Sequence, residues 1–122
     1  VTDGYYCHKV DHCSQTFPSP NPWLKVDLQT SVTVLCLVVK TSEYEIFFTD
    51  VEVRLGSSSN FSNNPIFAMQ SGQSPPSGTF LILTPTQPMQ GRYLSFQSMV
   101  AFNSLAICKL QVIGGKPPIP LK

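Results

Sequence analysis

Charge is scarce in this sequence. Only 12% of its 122 residues are Asp, Glu, Lys or Arg, and the formal net charge is +1; soluble domains average about 25%. The eight Lys and Arg are spread singly. There is thus no basic stripe to neutralise phosphates, and no nucleic-acid partner is expected. Long apolar runs are also missing. The longest spans residues 34–39, far short of the roughly 20 residues of a membrane-spanning helix, so a membrane partner is not expected either. No G-x-S-x-G, P-loop or H-E-x-x-H pattern occurs, and these are the arrangements that carry nucleophilic, phosphoryl-transfer and zinc chemistry.

The titratable groups are few. The two histidines, His8 and His12, lie near the start with Asp11 between them. A metal cluster of these three is the weaker reading beside solvated loop residues. Asp50 and Glu52 fall on the outward face of an alternating segment and read as a solvated face rather than an acid–base pair. No nucleophile, base and orienting group can be assembled, so the chain is not expected to be an enzyme.

What the sequence does hold is 11 prolines, 42% apolar residues and many Ser, Thr and Asn between short apolar segments, the pattern of many short strands joined by turns. Residues 1–22 read as irregular. Residues 23–28 alternate, with Leu24, Val26 and Leu28 on one face. Residues 32–39 are continuously apolar and β-branched apart from Thr33, which predicts a central strand buried on both faces. Residues 50–55 alternate, with Val51, Val53 and Leu55 inward. Further strands are predicted over 65–70, 79–83, 92–99 (Leu94 and Phe96 inward) and 105–113. Seven or eight strands without a helix predict an all-β fold, an antiparallel β-sandwich or jelly roll. The domain is read as residues 1–114, and residues 115–122 as a Pro-rich linker.

Four cysteines, Cys7, Cys13, Cys36 and Cys108, are separated by 5, 22 and 71 residues. Zinc sites favour C-x-x-C pairs, so two disulfides in an oxidising compartment are expected. Asn60-Phe61-Ser62 is an N-glycosylation sequon, in keeping with a secreted or extracellular protein. The chain opens on Val1 with no signal peptide and is read as a mature or trimmed segment.

Five segments resemble the F-type lectins, the fucolectin family. Asn21-Pro22-Trp23-Leu24-Lys25-Val26-Asp27-Leu28 is similar to that family's NPWWRVDL strand. Residues 50–56 are similar to its AEVRIG strand, Gly91-Arg92-Tyr93-Leu94 to GRYV, residues 105–112 to its closing L-x-L-C-E-V-x-V, and Val1-Thr2-Asp3-Gly4 to AIDG. The resemblance covers nearly the whole chain and implies a jelly-roll sandwich shared with discoidin-type domains. The strand that precedes AIDG in the family is absent, which implies that it comes from elsewhere.

The resemblance also implies a sugar site at one end of the sandwich, where the family holds L-fucose with a histidine, an Arg-x-Asp and a second Arg. Here Gln15 stands at the histidine position, Lys40 at the first Arg, Ser42 at the Asp and Phe47 at the second Arg, while Glu43 and Tyr44 replace the adjacent cysteines that receive the sugar's methyl group. Gln15 and Lys40 can hydrogen-bond, but Lys lacks the Arg fork and Phe47 cannot donate. The family's calcium site keeps Asp3 as a candidate ligand but has Lys109 in place of its Glu. Weak or no Ca²⁺ binding is therefore expected, and no other cofactor. The family disulfide maps onto Cys13–Cys108, leaving Cys7–Cys36 as the second pair, with an intermolecular bond through Cys7 as the alternative.

Four functions are open to a chain of this composition and resemblance. The leading one is an extracellular, non-enzymatic recognition module within a larger multidomain or multichain assembly, adhesive or protein-binding, with the fucose chemistry lost. Next comes a carbohydrate-binding lectin of changed specificity using Gln15, Lys40, Ser42, Glu43 and Tyr44. A discoidin-like phospholipid binder using Tyr5, Tyr6 and Lys9 ranks third, and an enzyme last.

Overall fold

A computed structural model of the chain describes residues 5–10, 14–41, 48–73 and 80–115. The strands are β1 (Tyr5–Val10), β2 (Ser14–Gln15), β3 (Trp23–Lys40), β4 (Thr49–Gly56), β5 (Ile66–Gln73), β6 (Phe80–Leu83), β7 (Met89–Ser98), β8 (Ala106–Ile107) and β9 (Lys109–Gly115). Among the described residues the only helical piece is a single 3-10 turn at Phe61–Asn63. The expected all-β antiparallel sandwich is what the chain forms.

β3 is the organising element. Its first half pairs with β7, from Trp23↔Gln97 to Asp27↔Tyr93 and, after a shift in register, from Val32↔Gly91 to Val34↔Met89. Its second half pairs with β9 and β6, from Leu37↔Val112 and Leu37↔Leu83 to Lys40↔Lys109 and Lys40↔Phe80. One layer is thus β5-β4-β7 with the first half of β3. The other is β6, the second half of β3, β9 and β1. The strand changes layers where its register with β7 shifts between Asp27 and Val32. Gln29 adopts φ 70° there, and its N–H donates to Asp27 Oδ1 at 2.7 Å, a side-chain turn that stabilises the bend.

The core lies between the layers. Val51, Val53, Leu55, Leu94 and Phe96 meet Leu37, Val39, Leu83, Leu110 and Val112, all buried. Phe48 and Phe96 pack with ring centroids 6.4 Å apart. The alternation of residues 50–55 puts the expected side chains inward because a strand shows alternate faces.

Three expectations about the strands need correction. Residues 1–22 are not wholly irregular, because β1 pairs with β9 from Tyr5↔Gly115 to Val10↔Leu110 and β2 pairs with β8. Residues 32–39 are not buried on both faces. Val34, Leu37 and Val39 are fully buried, but Leu35 is 41% exposed, and Cys36 and Val38 are half-buried. The layer has a core on one side, and these residues lie on the other. Residues 105–113 form two strands with Cys108 between them.

Cys36 is a free thiol, which corrects the Cys7–Cys36 pairing. Cys7 and Cys36 both register on Ile113 of β9, from opposite sides. A whole strand therefore separates them, about 9–10 Å between backbones, beyond the roughly 7 Å that a disulfide spans. Cys108 is disulfide-bonded; Cys13 lies outside the described residues.

Two glycines seat the layer formed by β4 and β7. A Cβ on Gly91 would lie 2.7 Å from Gly56 N. A Cβ on Gly56 would collide with the buried Asn64 side chain. Asn64 is fixed in turn, accepting from Ser58 N at 3.1 Å and donating to Ser58 O at 2.9 Å.

Candidate functional site

Lys40 ends β3, half-buried, with its backbone carbonyl accepting from Cys108 N at 2.8 Å. Gln15 is exposed on β2, opposite Ala106. The short stretch from Ala106 to Lys109 thus pairs with both, and the fold brings Gln15 and Lys40 to one end of the sandwich. The segments 98–104 and 48–50 close the same end, through Met99 N to Asp50 O at 2.8 Å and Ser98 Oγ to Thr49 O at 2.7 Å. Ser42, Glu43, Tyr44, Phe47 and Asp3 lie outside the described residues, as do the side chains of His8, Asp11 and His12.

Lys40 is flanked on both sides. Phe80 of β6 and Lys109 of β9 stand opposite it in register. Directly opposed residues in antiparallel strands point to the same face, so the three form a row on the outer side of the layer. The Lys40 ammonium lies 5.8 Å from the centroid of the Phe80 ring, and Phe80 is 52% exposed. Lys109 is exposed. An ammonium supplies donors and no lone pair for a cation, so Lys109 cannot itself ligate calcium. Among the described residues there is no metal-ligating cluster of His, Cys, Asp and Glu.

The carboxylates offered as alternatives are engaged. Glu52 pairs with Arg54 at 2.7 Å. Asp50, in the left-handed region at φ 47°, accepts from Gly72 N at 2.6 Å. Asp27 pairs with Arg92 at 2.8 and 3.0 Å. Their roles are structural.

Sequence reasoning overlooked the exposed aromatics. Phe17 is 91% exposed and Phe102 66%, with Met99 near them at 45%; Ser19 and Asn103 bridge the two segments. Neither segment has a periodicity that would signal exposure. A groove between β5 and β6, about 660 Å³ and lined by Ile66, Met69, Gln70, Ile82 and Met89, also had no sequence signal, because it arises only where edge strands of the two layers come together. Asn60 is exposed. Its Oδ1 accepts from both Ser62 N and Ser62 Oγ, at 3.3 and 2.8 Å.

No family model and no curated protein matches the sequence. Solved structures do. The chain is similar to an F-lectin (fucolectin) from striped bass serum, with TM-score 0.74 and 26% identity over 85% of this chain. It spans about a third (36%) of that protein's length. It is similar in fold to a Streptococcus pneumoniae fucose-binding module, with TM-score 0.65 and 16% identity over 85% of this chain and 73% of that one. A family 32 carbohydrate-binding module from Clostridium perfringens, solved with galactose, matches with TM-score 0.65 and 13% identity over 89% of this chain and 93% of the other. The layered sheets, the shared long strand and these likenesses together identify the architecture: the chain has the F-type lectin/discoidin fold.

Proposed function

We propose that this chain is a non-enzymatic glycan-recognition module, a lectin-type domain whose binding end is built around Lys40 rather than around the fucose residues of the family. The observation that carries this reading is the position of Lys40, fixed at the strand end by the Cys108 N–H bond and joined to Gln15 through the stretch from Ala106 to Lys109. The structural neighbours supply the ligand class, since their names describe fucose- and galactose-binding modules. The fucose mode itself is not retained, because Gln15, Lys40, Ser42 and Phe47 stand at its four polar positions and cannot supply the same donors.

Secretion, a Cys13–Cys108 disulfide and a glycan on Asn60 belong to the same reading. Ser14 pairs with Ile107, and each is the sequence neighbour of one of the two cysteines. A bond there would close a loop of nearly the whole domain, worth roughly 4–5 kcal/mol in the chain-entropy model. The chain would then serve as one module of a larger extracellular assembly.

A second reading, binding to a protein, is favoured by exposed Phe17, Phe102 and Met99 at the same end. A glycan array on the folded domain, with and without Ca²⁺ and with free L-fucose as competitor, separates the two. The expected result is Ca²⁺-independent binding that Lys40→Ala lowers about tenfold, as for loss of one charged hydrogen bond. A silent array with folded protein would overturn the glycan reading in favour of a protein partner. Full competition by fucose would show that the family mode had survived.

A further inference from the structure

We infer that the row Phe80, Lys40 and Lys109 is a binding site for an anionic glycan, one that carries a carboxylate or sulfate group. This rests on the glycan-recognition reading and names the ligand class within it. The two lysines are in register on adjacent strands, so their side chains leave the same face side by side. Like charges directly opposite one another destabilise a strand pair, and an anion between them turns that repulsion into two charge-assisted hydrogen bonds.

No carboxylate of the described residues answers this charge. Asp27 serves Arg92, Glu52 serves Arg54 and Asp50 serves the Gly72 N–H, and all three lie in the β4–β7 layer or at the bend leading out of it. Phe80 completes the site. Its ring is 52% exposed, on the far side of Lys40 from Lys109, and already holds the Lys40 ammonium at 5.8 Å. A pyranose stacked on that ring would present an acidic substituent toward the lysine pair. The next row along the same face, Ile82, Val38 and Gln111, extends the platform with apolar surface and one amide.

The test uses the intact chain and four immobilised probes: a sulfated oligosaccharide, a sialylated oligosaccharide, a neutral fucosylated oligosaccharide and poly-glutamate. The expected result is binding to one or both acidic glycans, weakened as salt rises and lowered about tenfold by Lys40→Ala or by Lys109→Ala. Lys40→Arg should retain it, and Lys25→Ala, which removes a cation from the other layer, should leave it unchanged. Phe80→Ala should weaken the glycans and spare poly-glutamate. The sulfated and sialylated arms separate the two sources of negative charge. Binding of only the neutral probe would overturn this inference while leaving the glycan reading standing. Binding of none, by folded protein, would remove both. Equal binding of poly-glutamate, lost in the same variants, would overturn the inference by making the lysine pair a general anion surface.

Discussion

At the scale of single residues, the fold depends on a few positions where only one side chain fits. Gly91 abuts the backbone of Gly56, with 2.7 Å from a Cβ to Gly56 N, and backbone cannot move aside as a flexible side chain can. Gly91→Ala should therefore destabilise the domain by about 1–3 kcal/mol, as overpacking generally does, read as a lower urea midpoint with an unchanged slope. Asp27 makes a different kind of contribution. The hydrogen bond from Arg92, followed by that from the Gln29 N–H, holds its carboxyl below the usual carboxylate value, and the same pairing raises Arg92. A carboxyl depressed by folding adds stability that is present above the unfolded value of about 3.9 and is lost as pH falls through the lower folded value. Arg92→Ala should raise the Asp27 titration midpoint, followed by NMR, and flatten the acid limb of stability below about pH 4. Both side chains are close to half exposed, so salt should weaken the effect. Asp27 and Arg92 could be named from the sequence as parts of two strands; that they pair was not legible, since 65 residues separate them.

At the scale of elements, β3 shows what periodicity reveals and what it hides. Its first half was readable because Leu24, Val26 and Leu28 alternate with charged neighbours. Its second half was misread because a continuous apolar run looks the same whether one face or two are covered. The bend between them is held at Gln29, φ 70°, a backbone region that costs an ordinary residue roughly 1–2 kcal/mol. Gln29→Gly should be neutral or stabilising by up to about 1 kcal/mol, whereas Gln29→Val should cost about 1–3 kcal/mol; in thermal unfolding the Val variant should melt lower than the parent and the Gly variant should not. β1 was missed for the complementary reason. Its sequence, Tyr5-Tyr6-Cys7-His8-Lys9-Val10, has no apolar alternation, and it becomes a strand by pairing along the edge of β9.

At the scale of the whole molecule, the binding end is assembled from segments far apart in sequence. Lys40, Lys109, Phe80 and Gln15 come from four strands. Calcium is not expected to contribute to this assembly, because the family resemblance sets Lys109, which has no oxygen to offer, at a calcium-ligand position. Millimolar Ca²⁺ should move the melting temperature by less than about 1 °C; a specific site at a hundredfold excess over its Kd would add about 2.7 kcal/mol and shift it by several degrees. The glycan reading also belongs to this scale. The sequence ranked a protein-interaction module first, from the loss of the fucose residues, whereas the glycan proposal rests on the lysine row that the fold assembles.

The sequence by itself determined the all-β class, most strand positions, the inward residues of β4 and β7 and the lectin-type architecture. Each of these is written in local alternation or in motif order, which a linear chain carries without folding. Only the tertiary structure decided that β3 serves both layers, that Cys36 is separated from Cys7 by β9, and that Lys40 faces Lys109 and Phe80. Register between distant strands is fixed by burying one common core, and a shift of one residue would turn every side chain to the opposite face, so those pairings exist only once the layers close on one another.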